Sequence, residues 1–413
     1  MGDGQVTRRI FGCHAAGGTD ITTTFLRWTF ARAVFHRGYV LASSLYFVVH
    51  ARLSAAQLVF LGTVVAVTMA LSDIPAGVWS DAFSRKWPLV IGHGLMAAGM
   101  VMTGMVSAYA LILVTQVLWG LGWAFSSGAD VAWLTDELGR SDRVSRVLTA
   151  RARWDVIGGA TGMALFGVLG WATSLGTAVR ASGAAMAMLG LLVAALFTED
   201  SFIPERVQRR KASMSIFGRG LALSRRDYEI MLVFAATMIV NGAAVITWLF
   251  PRRLVNLGFP GDLVLWYTAL GIVSSACGGV ALRIVEAHID GVGVARRAYA
   301  LTCSAGLLGL TILAFAPDAL IGCAGVLLVS GIALNVTRAV SVVWVNRRTP
   351  SDVRATVHSF LSQAETIGKV AGSLALAGLA QASGMSAALL ASGTLFALAA
   401  AAVARSQQIL PSL

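Results

Sequence analysis

Apolar residues run along this chain in unbroken blocks separated by short polar, arginine-bearing breaks. The blocks approach about 20 residues, the length a helix needs to cross about 30 Å of hydrocarbon at about 1.5 Å per residue. Strand-like period-two alternation is scarce, which speaks against a membrane β-barrel. The pattern predicts twelve spans, at 28–49, 57–79, 88–107, 110–133, 150–172, 177–197, 230–251, 263–283, 298–316, 319–344, 357–381 and 385–404. The expected fold class is therefore an all-α membrane protein with twelve transmembrane helices.

The breaks set orientation. Connections after even-numbered spans carry Arg85 and Lys86, then Arg140 to Arg153, Arg206 to Arg226, Arg283 to Arg297, and Arg347 to Arg354. Connections after odd-numbered spans hold only Arg52, Arg180, Arg252 and Arg253. Basic loops stay in the cytoplasm, so both termini are expected there. The longest polar break, Glu199 to Glu229, is rich in Arg and contains Pro204. The expected organisation is a cytoplasmic tail (1–24), a six-helix bundle (25–198), a cytoplasmic linker (199–229), a second six-helix bundle (230–404) and a cytoplasmic tail (405–413).

Composition narrows the function classes. Charged residues make up 13% and mean hydropathy is +0.75, against about 25% charged in soluble domains. The net charge of +12 is accounted for by topology-setting bases, so no nucleic-acid partner is expected. Cys13, Cys277, Cys303 and Cys323 form no CxxC, and the three in apolar runs read as small packing residues. His50, His93 and His358 stand alone without metal spacing, so no metal and no cofactor is expected. The glycines at 120, 122, 291 and 293 follow no strand and open no Walker loop. Energy must come from a gradient or a partner.

Two internal features stand out. Asp155, Gly158 and Gly162 in span five recur as Glu365, Gly368 and Gly372 in span eleven, 210 residues on, and Gly120 and Trp133 recur as Gly331 and Trp344, 211 residues on. Parallel repeated halves with a site between them are one plan of membrane transporters. Between spans two and three, Asp73, Pro75, Gly77, Asp81, Ser84, Arg85 and Lys86 form a charged island. This loop resembles the signature loop of the major facilitator superfamily, in the extended form of its drug-efflux-like branch, and Gln116 to Asp136 is similar to the fourth helix of such exporters. The resemblance implies two pseudo-symmetric six-helix bundles, a small-molecule substrate, and docking of Asp81 against the start of helix eleven near Pro350 to Asp352. Departures are present: Gln116 stands where many proton-coupled members carry Arg, and span five lacks a Gly-Pro pair.

Candidate residues follow. Asp73, Gly77, Asp81, Arg85 and Lys86 form a candidate conformational latch, the last two being equally readable as topology determinants. Arg32 and Asp130 lie at similar depth and form a candidate ion pair. Asp155 and Glu365 share faces with glycine ridges, so they are either ion-paired structural acids or proton and substrate contacts. Candidate cavity residues are Gln116, Trp119, Trp123, Asn241, Trp248, Asn335, Arg338 and Gln363, since polar groups inside spans face protein or water. For each Trp, the alternative is packing or interfacial anchoring. The expected function is proton-coupled efflux of a drug or hydrophobic metabolite by a monomer in a bacterial cytoplasmic membrane. Import by the same fold, or a sensor or scaffold role, are the alternatives. The expected partners are substrate, protons and the lipid bilayer.

Overall fold

The computed structural model describes residues 20–139, 141–201, 218–219, 221–288, 292–350 and 353–409. The expectations for most of both tails and the linker, and for Ser351 and Asp352 before helix eleven, fall outside the described residues. Among the described residues there is no strand, and twelve helical rods follow one another. In the first half these are α1 (Ile21–Leu45, extended by a π-helical turn, Tyr46–His50), α2 (Ala55–Ala82), α3 (Lys86–Thr103), α4 (Tyr109–Ser126, then Ala129–Leu138), α5 (Ser141–Ala172) and α6 (Leu175–Leu196). In the second they are α7 (Tyr228–Ala244, a 3-10 stretch Val245–Leu249, then Phe250–Leu257), α8 (Leu263–His288), α9 (Val292–Phe315), α10 (Ala319–Val326, a π-helical stretch Leu327–Ala333, then Leu334–Arg348), α11 (Arg354–Ser383) and α12 (Met385–Ile409).

Local chemistry fixes several helix starts. Asp20 accepts from the amides of Thr22 and Thr23 ahead of α1, and Ser54 with Gln57 closes a reciprocal capping box on α2. Ser174 and Asp227 cap α6 and α7 in the same way, satisfying amides that a helix leaves unpaired at its start. The fourth rod is expected to be one helix, but it breaks at Gly128, whose φ of 82° is open to glycine at little cost. Among the described residues, nine rods are long and apolar enough to cross a membrane. The others, α1, α3 and α11, carry Arg32, His93 and Glu365, which the structure shelters within protein.

The repeated glycines explain how each half packs. A Cβ on Gly158 would meet Phe30 O at 2.6 Å, and one on Gly162 would collide with Val34 O, so α5 lies directly on α1. Gly368 and Gly372 likewise face the carbonyls of Met238 and Gly242, laying α11 on α7. Small residues permit this backbone-to-backbone approach in membranes. Gly120 faces Val65 and Thr68 of α2, and Gly331 faces Ser274 and Cys277 of α8. The sequence repeat is thus also a repeat of contacts.

The halves meet at one end. With the Arg-rich connections at the basic end, the contacts between halves gather in the opposite part of the rods. There Arg252 Nη1 donates to Leu53 O, Ser44 approaches Tyr267, Gly62 faces the Trp248 indole, and Gly167 faces Thr268. One apolar cluster joins Leu58 and Leu61 of α2 to Leu249, Leu376 and Ala380 of α7 and α11. Toward the basic end, Val156, Ile157, Val280 and Ile284 are exposed, and nothing stands within 4 Å of a Cβ on Gly77. The structure is closed away from the basic end and splayed toward it.

This closure gives a prediction. In a chain with its cysteines replaced by serine, Gly170→Cys and Val264→Cys, which face one another, should cross-link under mild oxidation. Gly62→Leu should cut the yield at least threefold by driving Trp248 out of its seat; an unchanged yield would mean that this contact does not hold the end shut.

Candidate functional site

A cavity of about 510 Å³ lies between the halves, within the usual range for small-molecule sites. The first half supplies Arg37, Tyr39, Phe47, Gln116 and Trp119 among others, and the second supplies Trp248, Tyr267, Ser274 and Asn335. Its walls include Phe47, Thr247, Trp248 and Ser330, which belong to the π and 3-10 stretches of α1, α7 and α10. Irregular turns of this kind commonly accompany functional sites.

A smaller cavity of about 230 Å³ adjoins the first, sharing Leu334 and Asn335, and reaches toward the basic end. It is lined by Thr237, Asn241, Tyr299, Arg338, Ser341, Glu365 and Lys369, among others. Glu365 lies 3.8 Å from both Arg338 Nε and Lys369 Nζ, outside hydrogen-bond range. Arg338 is largely exposed, so its charge faces the opening.

The candidate residues therefore separate. Gln116, Trp119, Trp248 and Asn335 line the larger cavity, and Asn241, Asn335, Arg338 and Glu365 the smaller. Gln116 donates to Tyr39 Oη (2.9 Å) and Thr103 Oγ1 (3.2 Å), so its amide N–H groups already have partners in the wall. Trp123 lines neither cavity; it stacks near His36 and Trp119 and lies under the Arg32 guanidinium. Gln363 is exposed and lines neither, and Asp155 is half-buried on α5, away from both walls.

Asp130 is 2% exposed and accepts from Arg151 Nη2 at 2.6 Å, with Arg32 Nη1 at 3.7 Å. The sequence pairing named Arg32 and missed Arg151, the nearer partner. In the second half Glu229 receives a contact from Arg296 and a hydrogen bond from Trp344 Nε1 (3.1 Å), all three groups being buried. Neither arrangement borders either of the two cavities, so both read as internal braces of their halves.

The charged loop is gathered within the first half. Arg85 pairs with Asp81 and, through Nε, with Asp136 at 3.1 Å. Glu199 accepts from Ser84 Oγ (2.7 Å) and from the amides of Arg85 and Lys86. Asp81 is half-exposed and Asp73 exposed. Among the described residues the Asp81 carboxylate is turned to Arg85 on its own half, and the expected docking partner at the start of helix eleven lies partly outside them. Glu199 was legible only as the start of the linker.

Sequence reasoning also missed Arg37, Tyr39, Tyr267 and Lys369. Their residue types are suited to a cavity, but which side of a rod faces the partner half is decided by packing. Among the described residues no group of three His, Cys, Asp or Glu side chains could hold a metal.

The family profile described as Major Facilitator Superfamily matches residues 21–373. No curated protein matches the sequence. The crystal structure of the nucleoside transporter NupG superposes with a TM-score of 0.76 at 14% identity, covering 94% of this chain and 99% of that one. A bacterial homologue of the human lysosomal transporter Spinster, in an inward-facing and unoccupied conformation, gives 0.68 at 14%, covering 95% and 98%. A peptide transporter, POT, gives 0.71 at 12%, covering 93% and 94%. At these identities the likeness shows the fold alone.

Proposed function

The chain belongs to the major facilitator superfamily, and on that footing we propose that this transporter exports a drug-like or hydrophobic metabolite against inward proton flow by alternating access. The observation that carries this reading is the cavity built from both halves, closed at one end and continued by a polar vestibule at the other. The halves, 25–198 and 230–404, rock about it and expose it to each side in turn. The basic end is taken as cytoplasmic in a bacterial inner membrane, with both termini inside. The arrangement is then inward-open, ready to load substrate from the cytoplasm. The protein works as a monomer, each chain containing both walls of its cavity.

Glu365 is the proposed proton carrier. It borders the vestibule, and its two cationic neighbours stand far enough away for a proton to exchange without breaking a hydrogen-bonded pair. Asp81, Arg85, Asp136 and Glu199 form the cytoplasmic switch, with Asp73 and Lys86 beside it. Asp81 and Arg85 hold the first half together in the inward-open state, and Asp81 exchanges partner when the cytoplasmic ends close.

The test uses inverted membrane vesicles with an imposed pH gradient and a panel of drugs. Substrate-evoked proton release is expected from the wild type and should fall at least tenfold in Glu365→Gln, while Asp155→Asn retains most of it. Transport indifferent to the gradient would reject proton coupling. Saturable accumulation in right-side-out cells would reverse the direction.

A further inference from the structure

We propose that the substrate is an organic anion with a flat apolar body, anchored by Arg37 and seated against Trp119, Trp248 and Tyr267. This rests on the reading of the cavity as the transport site. Among the residues lining the two adjoining cavities, three are cationic, Arg37, Arg338 and Lys369, and one is anionic, Glu365. The larger cavity is more lopsided, with Arg37 its single charged lining residue among those described. No carboxylate pairs with Arg37 among the described residues. Asp130 and Asp155 line neither wall, and Asp130 already serves Arg151 and Arg32.

Charge selects between ligand classes here. A cationic drug entering the larger cavity would meet Arg37 and no acid, a like-charge approach within low-dielectric walls that focus the field. A neutral ligand would leave the guanidinium to water. A carboxylate, sulfonate or phosphate instead gains a planar fork of donors suited to two-oxygen recognition. Trp119, Trp248, Tyr39 and Tyr267 supply aromatic surface for the remainder of the ligand. Arg338 and Lys369 extend the positive field along the vestibule and draw the anion inward, with Glu365 offsetting part of their charge.

The experiment compares 1-naphthylacetate, its neutral amide and 1-naphthylmethylammonium, which share one ring body. Binding to the detergent-purified full chain is read as the ligand-dependent rise of the unfolding midpoint. The anion is expected to bind at least tenfold tighter than the amide, and the ammonium weakest. Arg37→Gln should bring the anion to the level of the amide without changing the amide, and Arg37→Lys should recover part of the difference. Arg338→Gln and Lys369→Gln should each weaken the anion about two- to threefold, as groups acting through the field. Equal binding of all three, preference for the ammonium, no response to the anion, or an Arg37→Gln effect shared equally by the amide would each overturn the assignment. pH-driven transport of a panel drug without anion preference would sink this inference and leave the transporter reading standing. Selective anion binding with no transport of any panel member would do the reverse.

Discussion

Asp130→Ala is expected to destabilise the first half by about 3–5 kcal/mol, the usual penalty for removing one partner of a buried charge cluster. The reason is geometric. Asp130 is buried between Arg151 and Arg32, and its loss removes the carboxylate that both guanidinium groups face at ion-pair distance. Arg32 would retain the faces of Trp28 (4.8 Å) and Trp123 (5.4 Å), and Arg151 that of Phe25 (5.7 Å). Cation–π contacts contribute about 0.5–2 kcal/mol, too little to offset the missing charge. The check is the unfolding midpoint and folded yield of the purified variant. The exchange Asp130→Arg with Arg151→Asp should recover more folded protein than the exchange with Arg32→Asp, because Arg151 makes the hydrogen-bonded contact. A midpoint within error of the wild type for Asp130→Ala would remove this brace from the account. Glu229→Ala should behave alike, since it strips Arg296 and Trp344 of their shared acceptor.

That cluster also marks the boundary of what the sequence can convey. The twelve spans were legible because a membrane crossing demands a block of apolar side chains whatever its neighbours are. The pairing of α1 with α5 and of α7 with α11 was partly legible, because two glycines four residues apart, Gly158 with Gly162 and Gly368 with Gly372, announce a face that meets another helix closely. Rotations were not legible. Arg37 and Arg32 lie on the same helix, yet one lines the cavity and the other is sealed behind it. The phase between them depends on where the Gly158 and Gly162 ridge sits. Trp123 and Gln363 were named as cavity residues for their chemistry, and the packing turns both elsewhere. Conformational state was not legible either. The loop carrying Asp81 can be recognised from its residues, but the partner it holds depends on whether the basic ends are open or shut.

The glycines make that last distinction measurable. Gly162→Val and Gly372→Val are expected to cost about 3 kcal/mol or more each, at or beyond the upper end for overpacking a tight interface. Each new side chain would strike backbone: Val34 O in one case, and the carbonyl and Cα of Gly242 in the other. Backbone cannot rotate away as a side chain can, so the rods must part and the loss should appear in the unfolding midpoint. Gly77→Val offers the contrast. Nothing stands within 4 Å of its Cβ position in the splayed structure, and Gly77 lies one turn before Asp81 on α2. Its midpoint should stay within about 0.5 kcal/mol of wild type, as for an exposed substitution away from special features, apart from the lower helix propensity that glycine already carries. Its transport rate should nevertheless drop at least tenfold, because closure of the basic ends would bring α11 against this face of α2. A variant both stable and fully active would mean that α2 and α11 do not approach closely at Gly77 in any state of the cycle. A variant stable but slow would assign the charged loop its role through a state the present arrangement does not contain.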